Sequence, residues 1–501
     1  MDETDVPGFA RAFQRFLEAV NELAPAEDGL PVRATLEEHL GRDPLRLPVI
    51  SDRYAPFEHV NVQAALDAWL EQRGGSHELV GLRGEMHAHM SLADLVQHAH
   101  RRGIVIGAVD YVSLADGPGS TRTCAQAGLY LIRDGDGDGD GDGAAVVLLR
   151  GPHDHTPQPA VVVEILAADR GYAERIVADV RRLTVERSVF RNQVVSFAAG
   201  PFGDQTAGPI AFHARPQLKR EDVILPEQTF VAIEEHVFGI ATARDRLRAS
   251  GQHLKRGLLL HGPPGTGKTL TTRYLIGRLT DHTVVLLSGA AFQYIDAAAT
   301  LARSLQPALV VLEDVDLVAS ERMPHRGMAS PLLFALLNVM DGLDEDADLI
   351  FLLTTNRADA LEPALAARPG RVDAAVEISL PGADGRRRLL DLYGAGVELV
   401  LADPDAVVAR TQGVTASFIK ELVRKAALIA ARRDTDLGRI TVTDEHVSEA
   451  LDVLLDEGAG LTRALLGIGR EGTQAEELPP EMPSAAGWFS YAPLGRHHHV
   501  T

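Results

Sequence analysis

The chain has 501 residues, long enough for about three domains of ~150 residues each. Its 45% hydrophobic and 24% charged residues are the composition of a folded protein, and its formal net charge of −21, with no long Lys/Arg stripe, argues against a duplex-binding protein, which needs a basic footprint. A single cysteine, Cys124, permits no internal disulfide and suits a reducing compartment.

Residues 1–75 are expected to be a helical region. Phe9, Phe13, Phe16, Leu17 and Val20 recur at three- and four-residue spacing, and Leu66, Trp69 and Leu70 share one side of a second candidate helix. The acidic start Met1-Asp2-Glu3-Thr4-Asp5 lacks the basic region of a signal peptide, and no run reaches the ~18 apolar residues of a membrane helix, so a cytoplasmic protein with no membrane segment is expected.

Residues 76–226 have a mixed pattern, read as an α/β accessory domain. Ile104–Ile106, Val146–Leu149 and Ala160–Leu166 are strand-like, and Tyr172–Leu183 is helix-like with Ile176, Val180 and Leu183 on one face. His87, His89, His98 and His100 lie close together, but no cysteine joins them and no H-E-x-x-H pair occurs, so surface or core histidines are the preferred reading. The Asp-Gly repeat from Asp134 to Gly143 lacks the varied spacing and bidentate Glu of a calcium loop and reads as a self-repelling linker between two strands.

Residues 227–382 carry the chemistry. Gly262-Pro263-Pro264-Gly265-Thr266-Gly267-Lys268-Thr269 fits G-x-x-x-x-G-K-[ST], preceded by the apolar run Gly257–His261 and followed by a helix opening at Leu270. Glycines let successive N–H groups point inward, and the helix start adds partial positive charge where phosphates sit. Lys268 would reach the β/γ-phosphates and the Thr269 hydroxyl would ligate Mg²⁺. Further continuous apolar runs, Thr283–Ser288, Ala308–Leu312 and Leu349–Leu353, predict strands buried on both faces of a parallel sheet flanked by helices, the fold of a P-loop NTPase. The run ending at Leu312 leads into Glu313-Asp314-Val315-Asp316, acids placed where a strand end faces the phosphate loop. Ser330-Pro331 reads as a helix start. Residues 383–460 are expected to be a small helical lid, with Phe418, Leu422, Val423 and Ala426 on one face, and residues 461–501 a Pro-, Gly- and Glu-rich tail.

The ordered set Gly262–Thr269, Glu313-Asp314, Met340-Asp341-Gly342-Leu343, Thr354-Thr355-Asn356-Arg357 and Arg368-Pro369-Gly370-Arg371-Val372-Asp373 resembles the AAA-type ATPases of the AAA+ superfamily, over about residues 238–460. The resemblance implies ATP and Mg²⁺ as cofactors and a ring, usually a homohexamer. It assigns Asn356 as the polar sensor of the γ-phosphate and attacking water, and Arg368 and Arg371 as fingers acting on the neighbouring subunit's ATP. It places Glu313 at the magnesium position beside Thr269 and Asp314 at the water-activating position, and brings Leu270 and Gly239, within Val237-Phe238-Gly239-Ile240, to the nucleotide.

Three departures stand out. The Glu313-Asp314 order inverts the usual Asp-Glu and is similar to the mitochondrial Bcs1-like branch; Asp is one methylene shorter, so hydrolysis slows or the two acids exchange roles. The pore-loop position holds Tyr294-Ile295-Asp296, which would either grip a polypeptide or pack in the core, and the lid turn Gly413-Val414-Thr415-Ala416-Ser417 has no arginine. The expected function is Mg²⁺-dependent ATP hydrolysis that remodels or unfolds a protein substrate, recognised directly or through an adaptor by residues 1–226. The alternative is an ATP-gated assembly switch with slow or no hydrolysis; a DNA-processing motor is opposed by the acidic balance.

Overall fold

The computed structural model describes residues 12, 30–84, 86–133, 143–153, 158–197, 210–316, 347–358, 372–433 and 438–456. The proposed N-terminal helix over Phe9–Val20, the Asp-Gly repeat up to Asp142, Ser330-Pro331, Met340–Leu343, Arg368, Arg371 and the tail lie outside these residues.

Period-two burial of both faces organises the first layer. Helix α1 (Val32–Leu40), strand β1 (Val49–Tyr54), helix α2 (His59–Arg73) and β2 (Ser76–Arg83) are followed by α3 (Leu92–His98), β3 (Val105–Gly107), β4 (Asp110–Gly117), β5 (Ser120–Arg133), β6 (Ala144–Arg150), β7 (Val161–Ala167) and α4 (Arg170–Glu186). All pairings in this sheet are antiparallel, in the order β1-β7-β6-β5-β2-β3 with β4 also on β5. Tyr130, Val147, Leu149, Val163 and Ile165 project to one face, against Leu66 and Trp69 of α2 and Ile176 and Val180 of α4. Leu129, Leu131, Val146, Leu148 and Leu166 project to the other, against Leu36 and Leu40 of α1 and Leu92 and Leu95 of α3.

The second layer adds β8 (Val194–Phe197), β9 (Ile210–His213), α5 (Glu227–Ala249), β10 (Arg256–His261), α6 (Lys268–Arg278), β11 (Thr283–Ser288), α7 (Ile295–Ser304), β12 (Ala308–Glu313), β13 (Leu349–Thr355) and β14 (Ala374–Glu377). Its order is β14-β10-β13-β12-β11-β8-β9, parallel throughout except for β9. This is the P-loop NTPase sheet that the continuous apolar runs predict, covered by α5 and α6 on one face and α7 on the other. Helices α8 (Ala383–Gly394), α9 (Pro404–Arg410), α10 (Ala416–Arg433) and α11 (Asp444–Asp456), with strands β15 (Glu398–Val400) and β16 (Thr441–Thr443), enclose a separate core around Phe418, Ile419 and Leu422.

Boundaries at residues 75 and 226 do not coincide with the sheets. Strand β1 and helix α2 belong to the antiparallel sheet, because β1 pairs with β7 from Val49 to Tyr54. Strands β8 and β9 extend the parallel sheet, because Val194–Ser196 run beside Val284–Leu286. Edge strand β1 was hidden in sequence by its half-exposed residues, and β8 by its four-residue length.

The two sheets share packing. Val60 and Cys124 are buried in one cluster with Phe190, Val195 and Phe197, and Phe57 meets Phe197 edge-on with ring centroids 5.4 Å apart. Buried Asn61 joins the layers: its Oδ1 accepts from Val189 N at 2.8 Å and its Nδ2 donates to Glu58 Oε2 at 2.7 Å. Burial pushes the Glu58 carboxyl up to about 7, against the Asn61 hydrogen bond that favours its charged form.

Asn61→Ala removes both bonds and leaves the Val189 N–H without its acceptor, so it should lower unfolding free energy by about 2 kcal/mol in chemical denaturation. A carboxyl whose folded-state pKa is raised stabilises the fold most below its unfolded value of about 4.5 and loses that contribution as pH rises through about 7. Over that window, wild type should therefore lose stability relative to Glu58→Gln; parallel pH profiles for the two proteins would contradict this.

Candidate active site

The phosphate loop leaves β10 at His261 and enters α6 at Lys268. Three of its glycines have φ values open only to glycine in practice: +143° at Gly262, +78° at Gly265 and +115° at Gly267. At Gly262 a Cβ would also lie 2.3 Å from the Ile378 carbonyl oxygen, so no side chain fits. The Thr266 hydroxyl donates to Pro263 O at 2.9 Å, and Lys268 Nζ donates to Gly262 O at 2.7 Å and Pro263 O at 2.8 Å. Burial lowers the Lys268 pKa, while Asp314 and Asp316 pull it back up.

A cleft of about 490 Å³ opens over this loop. Pro264 through Leu270 line it, with Asp314 from the end of β12, Asn356 from the end of β13, and Ser417 and Lys420 from α10. Asn356 Nδ2 donates to Asp314 Oδ1 at 3.2 Å, so the amide and the acid are in contact. Asp314 has φ +53°, a left-handed conformation that Asp tolerates better than most residues. Its N–H donates to Thr354 Oγ1 at 3.0 Å, which anchors that turn to β13. Glu313 is not among the residues lining the cleft; burial and the neighbouring Asp314 raise its pKa, with Arg273 opposing them.

Gly239 does not reach the cleft. It lies inside α5, a helix of 23 residues, rather than in a loop. The apolar end of the cleft is instead made by Val223, Ile224 and Leu225, just before α5, together with Leu389 and Tyr393 of α8. The run Val223-Ile224-Leu225 ahead of Pro226 was a usable signal, since a short apolar segment stopped by proline commonly leads into a helix. Asp316, one of the strand-end acids, has a role that the sequence does not specify. Its Oδ1 accepts from the Thr355 hydroxyl at 2.9 Å and from Asn356 N at 3.1 Å, so it holds Asn356 in place.

Lid and loop touch directly. Ser417 N donates to Gly265 O at 3.0 Å, and Lys420 brings a cation to the lid wall of the cleft, 6.0 Å from the Tyr393 ring centroid. At the pore-loop position Ile295 is buried and Tyr294 stacks on Phe197 with centroids 5.4 Å apart, so both side chains pack within the molecule. Among the described residues no group of three or more His, Cys, Asp or Glu is placed to hold a metal; His87 instead bonds Gly84 O and Asp110 Oδ2.

The residues present suit ATP with Mg²⁺. The phosphate loop and the Lys268 ammonium line the cleft where phosphates would sit, the exposed Thr269 hydroxyl and Asp314 could offer oxygen ligands or water contacts, and the apolar end suits a flat base.

Residues 258–380 match the model of the ATPase family associated with various cellular activities (AAA). The chain is 35% identical over 220 residues to ATP-dependent zinc metalloprotease FtsH 2 of Sphaerobacter thermophilus, covering 42% of this chain and 33% of that protein. It is 32% identical over 267 residues to FtsH 3 of the same organism, covering 49% and 53%, and 30% identical over 292 residues to chloroplastic FTSH 1 of Oryza sativa subsp. japonica, covering 53% and 41%. The chain thus spans between a third and about half of the length of these relatives.

Asp316→Ala should release Asn356 from its place while leaving the phosphate loop intact. Turnover should fall about tenfold or more with nucleotide affinity changed by less than about threefold, measured by steady-state hydrolysis and by titration with a fluorescent ATP analogue.

Proposed function

We propose that this chain, built around an AAA-family ATPase domain, is a cytoplasmic Mg²⁺-dependent ATPase. It assembles as a homohexameric ring and uses hydrolysis to remodel or unfold a protein substrate. The observation that carries this reading is the convergence of Lys268, Thr269, Asp314 and Asn356 on one cleft between the parallel sheet and the helical lid. In it Lys268 and the loop amides would hold the phosphates, the Thr269 hydroxyl would be a magnesium ligand, and Asn356, in contact with Asp314, would position water for that acid to take its proton. Magnesium supplies charge neutralisation at the transferring phosphoryl group. Arg368 and Arg371 are assigned as trans-acting fingers by sequence pattern, and the antiparallel domain is the natural place for substrate or adaptor recognition.

The printed names of the relatives describe ATP-dependent zinc metalloproteases. The present sequence holds no H-E-x-x-H pair, so proteolysis is not carried over to it. No helix among the described residues is long and apolar enough to cross a membrane.

One observation favours a second reading, an ATP-gated assembly switch with slow or no hydrolysis: Tyr294 and Ile295 are committed to internal packing instead of a free pore loop. Comparison of oligomer mass with ATP and with ADP, while following turnover, separates the readings. Sustained hydrolysis stimulated by an unfolded protein supports remodelling, whereas ATP-dependent assembly with negligible turnover supports the switch.

Lys268→Ala and Asp314→Asn should each reduce hydrolysis by about 100-fold or more, and Arg371→Ala by about 10³-fold. Mixing Lys268→Ala and Arg371→Ala subunits should restore part of the activity, because some interfaces then pair an intact loop with an intact finger. Equal hydrolysis by wild type and all three variants would refute the site assignment.

A further inference from the structure

Strand register gathers a second set of charged groups far from the phosphate loop. Ser51 of β1 lies opposite Glu164 of β7, and Arg53 of β1 and Arg150 of β6 both lie opposite Val162, so all project from one face of the antiparallel sheet. They surround a pocket of about 210 Å³, also lined by His89 and Gln158. That is less than half the volume of the nucleotide cleft and suits a compact group.

Arg150 is the centre of this pocket. Its side chain is only 16% exposed, its Nη1 donates to His89 O at 3.0 Å, and its Nε makes no hydrogen bond among the described residues. Glu164 is a poor match for it, with Oε1 at 3.8 Å from Arg150 Nη2. The carboxylate is already occupied: Oε1 accepts from the Ser51 hydroxyl at 3.3 Å and Oε2 accepts from Leu92 N. The one carboxylate lining the pocket is therefore committed, Asp94 acts on Arg150 only electrostatically from outside the lining, and exposed Arg53 adds a further fork of donors at the rim. The His89 ring closes one wall by packing on His153, with centroids 4.8 Å apart. A half-satisfied buried guanidinium is costly unless a ligand completes its hydrogen bonds, and its planar fork matches an oxyanion bidentately.

We propose that this pocket is a second binding site, for the carboxylate or phosphate group of a small ligand, held by Arg150 and Arg53. The site is independent of the ATPase cleft and gives the accessory domain its own small-molecule input.

The test is isothermal titration calorimetry with inorganic phosphate in one arm and succinate in the other. The protein is the full chain carrying Lys268→Ala, which removes the phosphate loop's lysine from the signal. Saturable binding is expected in at least one arm, and the arm that binds identifies the class of oxyanion. Arg150→Met should abolish it, and Arg53→Ala, an exposed change that leaves the fold intact, should weaken it roughly tenfold. Absence of saturable binding in both arms, or binding unchanged by Arg53→Ala and Arg150→Met, would overturn the proposal.

Discussion

Phosphate chemistry in this molecule depends on one approach of backbone to backbone. Gly262 lies so close to the residue following β14 that a Cβ there would collide with the Ile378 carbonyl oxygen at 2.3 Å. Ile378 N in turn donates to His261 O at 2.7 Å. The loop is thus fixed to the edge of the parallel sheet before it curls. The lid grips the loop from the other side through Ser417 N and Gly265 O. The stability of a buried parallel sheet is in this way converted into precise placement of the loop at Gly262 and Gly265.

The acidic side of the cleft is held by a similar economy of means. Strands β12 and β13 are neighbours, and five bonds tie their ends together: Asp314 N to Thr354 Oγ1, Val315 N to Thr354 O, Thr355 Oγ1 to Asp316 Oδ1, Asn356 N to Asp316 Oδ1, and Asn356 Nδ2 to Asp314 Oδ1. Asp314 holds its left-handed backbone within this lattice. A strained residue persists where its surroundings over-determine it, and here they do so on the side chain that faces both Lys268 and Asn356.

Much of this was legible in sequence because the parallel strands are continuous apolar runs, and because G-x-x-x-x-G-K-[ST] encodes backbone conformation directly through its glycines. Lys268, Thr269, Asp314 and Asn356 could be placed from motif order alone. Gly239 could not, since its short motif gives no sign that the chain continues as helix through it. Asp316 could be named only as one of several strand-end acids, because its partners, Thr355 and the Asn356 amide, lie on a different strand and only pairing in space reveals them. The antiparallel domain was harder still. Edge strand β1 alternates weakly, the long hairpin β4-β5 turns at Pro118-Gly119 without a strong apolar alternation in β4, and the Arg53–Arg150 pocket joins residues far apart in sequence.

Strands β8 and β9 give the two halves of the protein an unequal mechanical status. The antiparallel domain leads directly into β8, which is hydrogen-bonded along β11, and Asn61 and Phe57 bind the junction laterally. The lid has its own core. The antiparallel domain is therefore joined to the parallel sheet like a beam clamped at its root, through a paired strand and side-chain packing, rather than hung from it by a tether.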